Sequence, residues 1–95
     1  ALERQQQIEA EQRTAAERVA AFLVALSRRN GLRGDDSHEI VLPMTRADIA
    51  DFLGLTIETV SRQMTKLRKE NVITIENNRH VTVHDLDRLE RRACF

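Results

Sequence analysis

Between Thr56 and Lys69 the chain carries Glu58, Ser61, Arg62, Lys66, Arg68 and Lys69 on one short polar segment. These side chains share a chemistry. A guanidinium can fork onto O6 and N7 of guanine, a carboxylate can accept from N4 of cytosine, and a serine hydroxyl pairs with several base edges. Advanced by about 100° per residue, Val60, Met64 and Leu67 fall on one side of a helix. Glu58, Ser61, Arg62, Thr65 and Lys69 fall on the other. Glu58, Ser61 and Arg62 occupy the first turns, the end with which the second helix of a helix-turn-helix contacts bases. The competing reading of this stripe is a solvated face, or a polar seam that docks an acidic protein.

Other constellations do not assemble into a catalytic or metal site. His38, His80 and His84 are the only histidines. His80 and His84 sit four apart in a segment that reads as a strand, which separates their Cα atoms by about 13 Å. Ser61 has no histidine near it in sequence and no glycine elbow. Gly31 and Gly34 match no phosphate-loop spacing. Asp35 and Asp36 read as turn formers, and Cys94 reads as a thiol at a fraying end rather than a redox switch. No feature points to an enzyme.

The helix that must present these groups begins at Thr56, an N-cap residue. It follows a shorter helix opened by Thr45-Arg46-Ala47-Asp48, a capping-box pattern, with Ile49, Ala50 and Leu53 as its inner face. Gly54 stands where a left-handed residue closes a helix, and Leu55 supplies the apolar contact that accompanies it. Upstream, Thr14-Ala15-Ala16-Glu17 is another capping box, which predicts a helix starting at Thr14. Val19, Phe22, Leu23 and Leu26 give that helix a core face, Arg28 and Arg29 suit its C-terminal end, and Asn30-Gly31 stops it. Residues 1–13 are rich in helix formers and hold only Leu2 and Ile8 as large aliphatics. They read either as a solvated helical stub or as the tail of a longer helix that pairs with a second subunit.

After a polar loop over 30–37, residues 38–42 read as a short strand ended by Pro43. Asn71 ends the second helix of the pair. Ile73-Thr74-Ile75 and Val81-Thr82-Val83 alternate, with Glu76-Asn77-Asn78-Arg79 between them, which predicts a β-hairpin with an Asn-Asn tip. Asp85 caps a last helix with Leu86 and Leu89 inward. The expected fold is mainly α with a small β-hairpin: a three-helix core plus wing, the winged helix-turn-helix.

Composition agrees. Ninety-five residues make one small domain with little room for an active-site cavity. Fifteen basic and fifteen acidic residues cancel, which disfavours a non-specific nucleic-acid binder but not a reader with local positive charge. The lack of Trp and Tyr, with three Phe, disfavours base-stacking platforms of the single-strand or RNA-binding kind. A single cysteine fits a reducing compartment, no apolar run approaches the length of a membrane span, and no secretory signal is visible, so a cytoplasmic location is expected. The chain opens at Ala1 inside a helical pattern, which reads as a fragment of a longer protein.

The run Leu42-Pro43-Met44 through Arg62, LPMTRADIADFLGLTIETVSR, strongly resembles the DNA-binding domain of the Crp–Fnr superfamily of bacterial transcription regulators. Glu58-Thr59-Val60-Ser61-Arg62 is similar to the E-x-x-S-R recognition motif of its Fnr and FixK branch. The Crp branch has Gly in place of Ser61 and usually Arg in place of Ile57. The resemblance extends from AAERVAAFLVALSRR at 15–29 through the hairpin. It implies a homodimer on a palindromic double-stranded DNA site of the TTGAT…ATCAA kind, acting as an activator. Glu58, Ser61 and Arg62 would read bases, and Thr45, Arg46, Thr56 and Thr59 would hold phosphates, joined by Lys66 and Lys69. Asn77, Asn78 and Arg79 would form the wing. Residues 1–13 would end a dimerisation helix, and 14–95 would be the DNA-binding domain. A sensor domain upstream would carry an iron–sulfur cluster, a haem or no cofactor. RNA polymerase would be met at the loop 30–37, with no residue there matching a motif. The alternative remains a winged helix used to bind protein.

Overall fold

The computed structural model describes the backbone of residues 2–32 and 39–93, and side chains over 14–29 and 39–93. Helix α1 spans Leu2–Leu32 without interruption. The helix start expected at Thr14 is therefore absent, and the helix passes Asn30-Gly31 to end at Leu32. The physical reason lies in residues 2–13. Extending an existing helix adds one hydrogen bond per residue fixed, whereas a new start repeats the nucleation cost. With strong helix formers on both sides, the Thr-Ala-Ala-Glu pattern does not break the helix. The loop segment 33–38, His38 and Cys94 lie outside the described residues.

The buried face of α1 is also rotated from the expected one. Ala15, Val19, Ala20, Leu23, Val24 and Ser27 are buried, while Phe22 and Leu26 only pack partly against the core. Small side chains at 15, 20 and 27 let the neighbouring elements approach closely. Phe22 instead meets the largely exposed Phe52, with ring centroids 5.9 Å apart and planes tilted by 54°.

Strand β1 (Glu39–Val41) is followed by α2 (Arg46–Leu53) and α3 (Ile57–Lys69), then β2 (Ile73–Glu76), β3 (His80–Val83) and α4 (Leu86–Arg92). The hairpin is not free-standing. β1 joins it to make a three-stranded antiparallel sheet in the order β1-β3-β2, with Ile40 opposite Val81 and Ile75 also opposite Val81. Leu42 N–H continues the pairing to the Arg79 carbonyl at 2.8 Å. One core runs through the molecule. Leu23 and Val24 of α1, Ile49 of α2, and Val60 and Leu67 of α3 meet Val81 of the sheet and Leu89 of α4.

Candidate nucleic-acid interface

Helices α2 and α3 are set by their caps. The Thr45 hydroxyl accepts from Asp48 N–H at 3.2 Å, and Asp48 reaches back to Thr45 N–H, a complete capping box. Gly54 closes α2 at φ 71°, in the left-handed region where only glycine is unstrained. Leu55 N–H then donates to the Ala50 carbonyl at 2.8 Å. Arg18 of α1 adds a bond to the Leu53 carbonyl at 3.0 Å, so the turn between the helices is tied to the core helix. Thr56 caps α3, its hydroxyl accepting from Thr59 N–H at 3.1 Å and lying 2.8 Å from the Thr59 hydroxyl. Thr59 N–H and Val60 N–H are thus engaged at Thr56. The first two N–H groups of α3 have no intrahelical partner and mark its positive end.

Along α3, Val60, Met64 and Leu67 face the core as expected, and Gln63 is buried with them. Gln63 was not foreseen, although the stripe 60, 63, 64, 67 is the full i, i+3, i+4, i+7 pattern. Glu58, Arg62, Lys66 and Lys69 are exposed, and with Ser61, Thr65 and Glu70 they line an open groove along the helix. Ser61 also borders two further clefts. One, of about 590 Å³, gathers Thr45, Arg46, Asn78 and Arg79. The other, of about 240 Å³, holds Arg46, Thr65, Arg68, Asn77 and Asn78. Ten residues singled out from sequence therefore line adjoining clefts that share Ser61: Thr45, Arg46, Glu58, Ser61, Arg62, Lys66, Lys69, Asn77, Asn78 and Arg79. Thr56 and Thr59 line none of the three and sit at the N-terminus of α3.

Charge on this surface is locally unbalanced. Arg62, Lys66, Arg68 and Lys69 make no ion pair among the described residues. Glu70, the acid at the end of α3, is instead paired with Arg92 of α4. Arg88 of α4 donates to the Glu70 carbonyl at 3.2 Å, so α4 caps the far end of α3. Burial lowers the pKa of Arg46, yet a guanidinium stays protonated throughout the physiological range.

The wing tip is a tight turn. Asn77 and Asn78 both take positive φ, 53° and 58°, and Arg79 N–H donates to the Glu76 carbonyl at 3.1 Å. Two successive left-handed residues are what a type I′ hairpin turn requires, and asparagine tolerates them. Thr65 and Arg68 border the wing although neither was assigned a role from sequence; their signal is the i+4 and i+7 spacing from Ser61. Ile57, the first residue of α3, stands 51% exposed beside Glu58. Among the described residues no three His, Cys, Asp or Glu side chains are grouped to hold a metal. No helix there is long and apolar enough to cross a membrane.

Comparison with known proteins gives a consistent picture. Residues 17–92 match the family model of the Crp-like helix-turn-helix domain. A curated relative from Rhizobium leguminosarum bv. viciae is 57% identical over 79 residues, covering 83% of this chain and 33% of the relative. The nitrogen fixation regulation protein FixK of Azorhizobium caulinodans is 49% identical over 81 residues, covering 83% of this chain and 32% of FixK. The solved structure of FixK2 from Bradyrhizobium japonicum superposes with a TM-score of 0.73 at 38% identity, over 81% of this chain and 37% of that one. The chain spans about a third of the length of the curated relatives it matches. Matched over residues 17–92, most of its length, the chain belongs to the family of Crp-like helix-turn-helix domains.

Proposed function

We propose that the chain is the DNA-binding domain of a bacterial transcription regulator of the Fnr and FixK branch, reading double-stranded DNA in a sequence-specific way. One observation carries the proposal. α3 buries Val60, Met64 and Leu67 and turns Glu58, Ser61 and Arg62 outward beside uncompensated cations. α3 enters the major groove by its N-terminal end. Arg62 forks onto guanine, Glu58 accepts from cytosine and Ser61 pairs with a base edge. The apolar Ile57 suits contact with a thymine methyl. Thr45, Arg46, Thr56 and Thr59 hold phosphates at the two positive helix ends. Lys66 and Lys69 add charge along the groove, and Asn77, Asn78 and Arg79 of the wing lie against the flanking backbone.

The regulator acts as a homodimer through the helix upstream of residue 14. It sets two copies of α3 about 34 Å apart on a TTGAT-type palindrome. It activates transcription in the cytoplasm through RNA polymerase. Any iron–sulfur cluster or haem of the regulator would sit in its sensor domain, outside this DNA-binding domain. Selection of bound duplexes from a random pool tests the proposal. Enrichment of a TTGAT-containing palindrome is expected. Binding that depends on salt but on no single base pair would refute sequence reading and favour a protein-docking surface.

A further inference from the structure

Resting on the DNA-binding reading above, we infer that Arg68 anchors a backbone phosphate in the cleft between α3 and the wing, a contact separate from the base-reading turns. The cleft is lined by Arg46, Ser61, Thr65, Arg68, Asn77 and Asn78, together with Met64 and Ile75. Two arginines from different helices line it, and no Asp or Glu does. Its ligand is therefore an anion.

The charge of Arg68 is available. Its side chain is exposed and unpaired among the described residues, and the nearest acid along the helix, Glu70, is held by Arg92. Glu70 borders the groove on the other flank of α3 and not this cleft. Opposite the helix, the Asn77 and Asn78 amides can donate, and their left-handed backbone fixes the tip that carries them.

Position then selects the kind of contact. Arg68 follows Ser61 by seven residues, two helical turns or about 10 Å along the axis. When the N-terminal end of α3 sits against base edges, the last turn stands off from the groove floor, and what passes between helix and wing is the sugar-phosphate strand. A guanidinium suits a phosphodiester because its fork matches two phosphate oxygens. Ser61 borders both this cleft and the α3 groove. One DNA strand can therefore run from the reading end into the cleft, which favours a nucleic-acid phosphate over the acidic side chain of a protein.

The test compares the full chain with its Arg68→Ala and Arg68→Lys variants on a palindromic duplex and on a copy mismatched in one half-site, across a series of salt concentrations. Arg68→Ala should weaken both duplexes by the same factor. It should also flatten the slope of log K against log salt by about 0.9 per phosphate lost, and Arg68→Lys should restore most of the slope. In duplexes carrying one neutral methylphosphonate at a time, one position should weaken the wild-type chain and leave Arg68→Ala unaffected. Thermal melts of the variants should match the wild type. An unchanged salt slope, a loss confined to one base pair, or independent effects of Arg68→Ala and every methylphosphonate would each overturn the phosphate contact. If the wild type prefers the palindrome and Arg68→Ala changes nothing, only this inference fails. If the wild type shows no binding to duplex DNA, both readings fail.

Discussion

Replacing Arg62 by alanine removes a guanidinium that is exposed and unpaired among the described residues on the open face of α3. The fold should not notice, since a surface change of this kind stays within about 0.5 kcal/mol. DNA binding should. A bidentate contact to guanine discriminates by about 1–3 kcal/mol, and about 1.4 kcal/mol is tenfold. Each half-site that carries the guanine should therefore lose roughly 5- to 150-fold in affinity, and a dimer on a palindrome suffers the loss twice. Fluorescence anisotropy on four duplexes differing only at that base pair reads the effect. The wild type should separate the four; Arg62→Ala should bind all of them at the level of the wild type's worst. Arg62→Lys sharpens the test, because lysine keeps the charge and loses the fork. It should recover the salt dependence without the discrimination. If Arg62→Ala weakens all four duplexes equally and preserves their ranking, Arg62 touches phosphate and the assignment of the base-reading end is wrong.

Thr56→Ala removes the cap of α3 and leaves Thr59 N–H without its partner; about 1 kcal/mol of stability should be lost, read as a lower urea midpoint at constant slope. Gly54→Ala should cost about 1–2 kcal/mol from the left-handed backbone alone. The added Cβ would lie 3.5 Å from Arg18 Nη1, an ordinary contact, so changing Arg18 to a smaller residue should not relieve the cost. On α1, Leu23→Ala should cost about 2–5 kcal/mol, as deletion of a fully buried leucine does. Leu26→Ala should cost clearly less, and the reverse order in thermal melts would contradict the rotated core face.

Much of the fold was legible because its signals are local. Thr45, Thr56 and Asp85 cap helices through bonds that span three residues, and Gly54 sits where a left-handed residue must. Failures came where a local signal competed with its surroundings. Thr14 carries a capping box that the helix formers before it override. Phe22 and Leu26 look like core by size, but the buried face of α1 adds Ala15, Ala20, Val24 and Ser27 to Val19 and Leu23, and the burial of such small side chains depends on what packs against them. The strand at Glu39–Val41 was visible, whereas its pairing with His80–Val83 across some forty residues was not. Register between segments that far apart is set by the shared core rather than by either segment alone.

The same distinction divides the interface. The outward face of α3 follows from the spacing of Val60, Met64 and Leu67, so Glu58, Ser61 and Arg62 could be placed from one helix. Arg68 could not be, because an exposed arginine in a last turn is equally a solvated end. What gives it a role is the Asn77-Asn78 tip beside it, and that tip is placed by the sheet. Val81, opposite both Ile40 and Ile75, holds β3 between β1 and β2, and the left-handed pair folds the turn back to the Arg79–Glu76 bond. The wing is thus anchored through β3 to β1 rather than swinging as a lone hairpin. Through this pairing the strand before α2 helps position the proposed phosphate site on α3. Loosening the β1–β3 pairing should then weaken DNA binding without altering which bases are preferred.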